Sequence, residues 1–410
     1  MDVQQFDSIF NYIDGSKDTI VNLQTLLTSI PSIAPESGGQ GELEKSIALE
    51  KWLKEKGFNN IEHFDAPDTR VESGIRPNMV ATIEGESDDK TIWIMAHLDV
   101  VPVGEISHWE TDPWTVIEKD GKLYGRGVED NQQGLCSGVI AGLSFLENNV
   151  KPKYTVKLLF VADEEVGSAM GIQYLLKNHD LFRKQDLIFI PDGGDPIGET
   201  IEVAEKTGYP LTVTVKGQQV HGSRPDLGSN ACLAASALSL KLNDLENVFN
   251  KKDPIFESDY STFQPTKREA NVPNFNTIPG EDVFWMDCRI LPCYEIADVQ
   301  VEIKKRIEEV EKQYNVSVTC VEGNVKKTPA TPVDAPVVVE LQKALKSLRG
   351  IEGKPIGIGG GTVGAYLRLK GFNAAVWSTL EETMHSPNEN SLIKNTIDDA
   401  KIFAYIFGGK

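Results

Sequence analysis

His97 and Asp99 stand two residues apart in the apolar run IMAHLDVVPVG, Ile94 to Gly104. Side chains alternate across a strand, so the two are expected to project from one face, near the end where Pro102 and Gly104 interrupt pairing. An imidazole and a carboxylate so placed suit a metal ion; a buried histidine satisfied by a neighbouring acid is the plainer alternative. Four further segments carry related chemistry: GRGVEDNQQG with Glu129 and Asp130, VADEEVGS with Asp163, Glu164 and Glu165, IPDGGD with Asp192 and Asp195, and TMHSPNE with His385. Each alone has a plain reading: Asp130 as a helix N-cap, Asp163 to Glu165 as a solvated strand end, His385 as an idle loop residue. Their joint occurrence where strands end weighs against five separate accidents. Carboxylates gathered in one crevice repel and raise one another's pKa unless cations neutralise them, and imidazoles among them suit zinc or a similar divalent metal.

Positioning those groups requires strands that end together. NMVATIEG, TIWIMAHLDVV, YTVKLLFVADEE and DLIFIPDGG are β-branched and nearly continuously apolar, the character of strands covered on both faces. Helical patterns precede and separate them: two helices over residues 6–56, the second GELEKSIALEKWLKEKGF, then NQQGLCSGVIAGLSFLENN and SAMGIQYLLKNHDLF. This alternation predicts an α/β domain with a central, mainly parallel sheet, whose loops at the carboxyl ends of the strands converge on one crevice. Near Gly208 the pattern changes. YPLTVTVKG, SNACLAASALSLKLNDLENVF, DVFWMDCRILP, IADVQVEIKKRIEEVEKQY and VSVTCVEG read as strand, helix, strand, helix and strand, close to a ferredoxin-like α+β unit. A connector TPATPVDAP, a helix PVVVELQKALKSLRG and the Gly-rich IGIGGGTVGAYLRLKG then return to the first sheet. The expected division is a catalytic domain from 1–207 and 326–410, with an inserted domain over 208–325.

The bulk properties narrow the function classes. A chain of 410 residues exceeds what one core normally serves, and 40% hydrophobic with 25% charged residues is ordinary for a globular protein. A formal charge of -20 disfavours nucleic-acid and anionic-membrane partners, which a net-negative surface repels. The five cysteines, Cys136, Cys232, Cys288, Cys293 and Cys320, are scattered and form no Cys-x-x-Cys pair, which fits a reducing cytoplasm. The opening MDVQQFDSIFNYIDGSKD lacks the basic flank and apolar stretch of a signal peptide, and no run approaches membrane-spanning length. A cytoplasmic protein free of membrane is expected.

Taken in order, the pattern His-x-Asp, Gly-Arg-Gly followed by an acid, Glu-Glu, Pro-Asp and a late His resembles one family over almost the whole chain. It is that of the di-zinc hydrolases that include acetylornithine deacetylase, succinyl-diaminopimelate desuccinylase, aminoacylase, glutamate carboxypeptidase and carnosinase-type dipeptidases. The resemblance implies that His97 and Asp192 hold one metal, Glu165 and His385 the other, and Asp130 bridges them, with the Asp130–Asn131 peptide bond cis. Two zinc ions per subunit are implied, with cobalt or manganese as substitutes. In PDGGDP both Asp192 and Asp195 are in reach of a metal, and the resemblance favours Asp192, which follows the proline. It also makes Glu164 the general base that moves a water proton to the leaving amine, and places Asp99 behind His97, orienting the imidazole.

Within the insertion, VKGQQVHGSRPDLGSNA is similar to the family's pattern before the lid helix. It implies that His221 hydrogen-bonds the developing oxyanion, often from a partner subunit of a homodimer joined through the lid; an exposed turn histidine is the alternative. Gly360, Gly361 and Thr362 in GGGTVGAY resemble a Gly-rich loop at a helix start, where backbone N–H groups accept a substrate carboxylate. Arg289 in WMDCRILP is a candidate to clamp that carboxylate unless Asp287 occupies it, and Asn276 in NTIPG is a further candidate. The expected function is a metal-dependent hydrolase cleaving an amide bond in a small peptide or N-acyl amino acid with a free carboxylate, dipeptidase or carboxypeptidase-like cleavage being favoured. A biosynthetic deacylase acting on acetylornithine or succinyl-diaminopimelate is the rival. A catalytically silent peptide-binding homologue is the reading from another class, and the retained base and five ligands weigh against it.

Overall fold

In the computed structural model, which describes residues 3–410, α1 (Val3–Asp14) buries Phe6, Ile9 and Ile13 at helical spacing. Helices α2 (Lys17–Thr28) and α3 (Leu43–Glu55) follow, so the expected two helices are three. The first stops where Gly15 ends the apolar period and the Ser16 hydroxyl donates to the Tyr12 carbonyl at 2.8 Å. Strands β1 (Asn60–His63) and β2 (Met79–Ile83) lead into the long β3 (Ser87–His97), whose last residue is His97. Helix α4 (Gln132–Glu147) then connects to β4 (Tyr154–Val161), and α5 (Ile172–Asn178) to β5 (Leu187–Asp195), before β6 (Thr200–Glu205).

Helix α4 is apolar on nearly every side and almost wholly buried. Gly134 and Gly138 let it lie against the sheet: a Cβ at Gly134 would fall 2.1 Å from the Pro191 carbonyl oxygen, and one at Gly138 2.8 Å from Ile94 Cγ2. The start of this helix, next to Asp130, is thereby seated on the strand that carries Asp192.

The insertion forms a unit of its own, residues 204–329 with 356–361, wider than the expected 208–325. It contains β7 (Leu211–Lys216), the two-residue β8 (Val220–His221), α6 (Ala231–Asn243), β9 (Thr262–Arg268), the two-residue β10 (Thr277–Ile278), β11 (Glu281–Ile290), α7 (Ile296–Tyr314) and β12 (Ser317–Glu322). The main strands pair antiparallel in the order β9-β11-β7-β12, the split βαββαβ arrangement of a ferredoxin-like unit. Val213, Leu238, Phe263, Phe284 and Met286 build its core. Strand β9 escapes the sequence pattern because it is an edge strand, largely exposed after Phe263, with Pro265 at an irregularity in the register.

The chain returns through α8 (Pro336–Arg349), β13 (Lys354–Ile358), α9 (Gly364–Leu369), β14 (Ala374–Thr379) and α10 (Ile393–Phe407). The eight-stranded sheet runs β1-β2-β4-β3-β5-β14-β6-β13. Its four middle strands, β4, β3, β5 and β14, are mutually parallel, with antiparallel neighbours outside them, so the fold is α/β around a large sheet with a parallel centre. Trp93 and Met95 face one side, with Leu159, Ile188, Val376 and Leu367, while Ile94 faces α4 on the other. That two-sided cover is why these strands read as continuous apolar runs.

Candidate active site

Strand register gathers the site. His97 at the end of β3 pairs with Val161 at the end of β4, so the Asp163–Glu165 turn begins beside it, and Asp192 lies near the end of the next parallel strand, β5. Asp130 stands just before α4, and His385 lies in the loop after β14. All sit at the carboxyl ends of the parallel strands, where an open α/β sheet offers a crevice.

His97 Nε2 is 2.9 Å from Asp130 Oδ1 and 3.5 Å from Asp192 Oδ1. His385 Nε2 is 3.1 Å from both Asp130 Oδ2 and Glu165 Oε2. One carboxylate thus serves two clusters, His97–Asp130–Asp192 and Asp130–Glu165–His385, in each of which the ligand atoms lie within 4.8 Å of one another. Donor atoms about 2.0–2.2 Å from a tetrahedral zinc stand about 3.3–3.6 Å apart, so each cluster has the size that holds one ion. A second observation fits: Glu165 Oε1 is buried without a hydrogen-bond partner among the described residues, an acceptor that a cation satisfies. The Asp130–Asn131 peptide bond is cis, as the resemblance implies.

The charges respond to one another. Burial, then the neighbouring charge of Asp192, pushes Glu164 well above the usual carboxylate range, and burial raises Glu165 and Asp192 as well. Burial opposes the charged form of His97 too, but Asp192, Asp130 and Asp99 outweigh it and hold the imidazole well above its ordinary value. Hydrogen bonds to Asp130 and Glu165 raise His385 to about 10. Asp130, despite burial, is held low by those two imidazoles. Protons on two histidines therefore balance the carboxylates, and divalent cations bound to the same atoms do so more completely.

The expectations for Asp99 and Arg289 need correction. The Asp99 carboxylate does not orient His97 as its main contact: Nδ1 donates to the Asp99 backbone carbonyl at 2.9 Å, and the nearest carboxylate oxygen is 3.5 Å away. Arg289 forks onto Asp287 through Nε at 2.6 Å and Nη2 at 3.0 Å, with Nη1 on the Gly359 carbonyl, so the sheet ion pair occupies the expected carboxylate clamp. Gly360 and Gly361 are exposed, and Thr362 Oγ1 accepts the Gly364 N–H at the start of the six-residue α9. Of the two candidate aspartates, Asp192 joins a cluster, as the resemblance favours, while Asp195 binds the amides of Ile197, Gly198 and Thr200 and closes a turn. In the inserted unit, His221 is exposed with Nδ1 2.8 Å from Ser223 Oγ, and the Asn276 side-chain oxygen accepts from Asn274 Nδ2.

A family model described as peptidase family M20/M25/M40 matches residues 93–408, which span both clusters. The chain belongs to that family. An uncharacterized metallohydrolase of Methanocaldococcus jannaschii is 41% identical over 399 residues, 93% of this chain and 97% of that one. A succinyl-diaminopimelate desuccinylase of Acinetobacter baylyi is 25% identical over 313 residues, 76% of this chain and 81% of its own. Among solved structures, aminopeptidase PepT from Bacillus cereus aligns with a TM-score of 0.74 at 20% identity, covering 96% of this chain and 98% of that one. Human carnosine dipeptidase 1 aligns with a TM-score of 0.73 at 20% identity, covering 98% of each chain. This M20/M25/M40 chain is a metallohydrolase of the peptidase and amidohydrolase kind. Its five cysteines are free, and no helix among the described residues is long and apolar enough to cross a membrane.

The family motifs do not by themselves reveal the residues that hold the ligands. Asn131 Nδ2 donates to Asp192 Oδ1 at 2.9 Å and to the Pro191 carbonyl, while its Oδ1 accepts the His97 N–H. Arg76 pairs with Glu42 and Asp163 beneath the Glu164 turn, all buried. Asp163 itself sits in the left-handed region at φ 68°, which the acidic run gives no reason to expect. Nothing in the residue types around Arg76 or Glu42, which lie in VESGIRPN and GGQGELEK, marks either as buried.

Proposed function

We propose that this protein is a two-metal amidohydrolase that cleaves the amide bond of a small peptide or N-acyl amino acid with a free carboxylate, with dipeptidase or carboxypeptidase-like cleavage favoured. The observation that carries the reading is the shared carboxylate, Asp130, which faces His97 with one oxygen and His385 with the other. His97 and Asp192 would hold one zinc ion and Glu165 and His385 the second, with Asp130 the residue common to both sets; cobalt or manganese suits the same donors. Divalent cations held there would supply Lewis acidity to the scissile carbonyl and to water at neutral pH. Glu164 takes the proton as the water oxygen bonds to the carbonyl carbon, and delivers it to nitrogen as the C–N bond breaks.

In this reading His221 donates a hydrogen bond to the carbonyl oxygen as that atom gains charge. Asn276 precedes Thr277, which pairs with His221 across the β8–β10 ribbon, and so stands on the same small element as a substrate contact. The subunits form a homodimer through the inserted unit, whose α6 exposes Leu233 and Leu240 at 54% and 70%. A second reading, a deacylase of succinylated or acetylated amino acids, has the Acinetobacter baylyi desuccinylase in its favour.

The test is metal content of protein purified without chelator, with hydrolysis of dipeptides and N-acyl amino acids before and after added zinc, cobalt or manganese. Near two metals per chain with metal-restored cleavage supports the reading, and the preferred substrates separate peptidase from deacylase. Glu164→Gln is expected to keep the metals and lose about 10²–10⁴-fold in turnover. No metal after reconstitution overturns it.

A further inference from the structure

Two buried carboxylates cross between the loops that carry the metal ligands. Glu389, in the His385 loop, is fully buried; its Oε1 accepts the backbone N–H groups of Glu129 and Asp130, each at 3.0 Å. Its Oε2 accepts the Gly127 N–H at 3.1 Å and Arg126 Nη1 at 2.6 Å. Glu129, in the Asp130 loop, reaches the opposite way. Its carboxylate accepts the N–H of Glu381, the N–H of Thr383 at 2.5 Å and Thr383 Oγ1 at 2.6 Å. Each loop therefore holds the backbone of the other with one carboxylate.

We propose that this reciprocal clasp is a positioning device that creates the second metal site, with Glu129 fixing the His385 loop and Glu389 fixing Asp130. The inference rests on the two-metal reading above. Neither carboxylate faces a ligand cluster, so both act through the ligands they place. His97 needs no such aid, because it ends a central strand and is buried, with its Nδ1–H on a backbone carbonyl. His385 has no comparable support: its side chain is 56% exposed and its loop belongs to no strand. Three non-glycine residues of that loop, Glu382, His385 and Asn388, have φ near 60° at 61°, 60° and 59°, a conformation that persists only where surrounding contacts impose it. On one side of His385 the N–H groups of Glu381 and Thr383 donate to Glu129, and on the other Glu389 accepts those of Gly127, Glu129 and Asp130; these hydrogen bonds supply that restraint, and N–H donors to a carboxylate make the stronger kind.

The arrangement predicts an asymmetry. Asp130 belongs to both clusters and His385 to one, so removing charge at Glu389 weakens both metal sites, whereas removing it at Glu129 weakens only the second. Partners that hold metal ligands typically change metal affinity by about 10–100-fold when lost.

The experiment is stepwise titration of chelated protein with Co²⁺, followed by calorimetry and by cobalt absorption, for the wild type, Glu129→Gln, Glu389→Gln and the milder Thr383→Val. Thermal melting of each chelated protein runs alongside as a check on folding. The expected result is a first Co²⁺ bound by Glu129→Gln as in the wild type and a second bound at least tenfold more weakly. Thr383→Val is expected to fall in the same direction by less, and Glu389→Gln to weaken both steps. If Glu129→Gln and Thr383→Val bind both ions as the wild type does, or lose both equally, the clasp is not a positioning device for the second site. Should Glu129→Gln fail to fold, Thr383→Val decides alone. A wild-type protein that binds fewer than two Co²⁺ overturns the two-metal reading itself, a result distinct from failure of the asymmetry.

Discussion

His97 donates its Nδ1–H to the backbone carbonyl of Asp99 at 2.9 Å, while the Asp99 carboxylate serves a different element. Its Oδ1 accepts the Glu164 N–H and its Oδ2 the Glu165 N–H, each at 3.0 Å. The histidine tautomer is therefore set by backbone, and the aspartate side chain positions the turn that carries the base and a ligand. Asp99→Ala is expected to lower turnover by about 10–100-fold and to weaken the Glu165–His385 site more than the His97 site, with Asp99→Asn between. Metal titration and turnover of the two variants check this. A loss confined to the His97 site would instead return Asp99 to the role expected from sequence.

Beneath that turn, Arg76 is fully buried, with Nε 2.7 Å from Glu42 Oε2 and Nη1 3.0 Å from Asp163 Oδ1. Removing the guanidinium takes from two buried carboxylates the cation that touches both. Arg76→Met is expected to cost about 3–5 kcal/mol, read by equilibrium denaturation. Arg76→Lys recovers only part, because an ammonium cannot fork between two partners as a guanidinium does. A cost below about 1 kcal/mol for Arg76→Met contradicts the pairing.

What the sequence makes legible follows from what each signal reports. Apolar continuity in β3, β4 and β5 reports cover on both faces, and the parallel centre of the sheet follows from it. The segments that hold His97, Asp130, Glu165, Asp192 and His385 are legible because acids and imidazoles at strand ends need a reason, but the choice of Glu165 over Glu164 and of Asp192 over Asp195 rests on the family resemblance. Arg289 misleads: its partner Asp287 is two residues away on the same strand, so spacing alone leaves the ion pair and the substrate clamp equally open. Glu129 and Glu389 are hidden for another reason. Their partners are backbone amides more than two hundred and fifty residues away in the chain, and backbone donors leave no trace in residue type.

The proton balance of the site gives a pH dependence. In cation-free protein His385 is raised to about 10 by its bonds to Asp130 and Glu165. A group raised on folding contributes stability that is fully present below its unfolded value, about 6.5, and lost as pH rises through the folded value. Chelated protein is therefore expected to lose melting temperature between pH 7 and 10. Cations compete with that proton, so metal affinity should rise over the same window and binding should release protons. The gap in melting temperature between metal-loaded and chelated protein is expected to widen from pH 7 to pH 9; a gap that narrows contradicts the assignment of His385 as a ligand.

The proposed roles of Glu164 and His221 lie in different units, and a homodimer in which His221 serves the partner's site has a consequence that single variants cannot show. Glu164→Gln and His221→Ala are each expected to be nearly inactive alone. Mixed in equal amounts and allowed to exchange, half the dimers carry one subunit of each kind. In such a dimer the subunit with an intact Glu164 receives an intact His221 from its partner, and the other site lacks both. Activity is therefore expected to return to about one quarter of the wild-type level. Recovery after mixing supports exchange of His221 between subunits. No recovery, from a mixture whose exchange is verified by mass-tagged subunits, shows that His221 either acts within its own chain or takes no part in the reaction, and residual activity of His221→Ala alone separates those two.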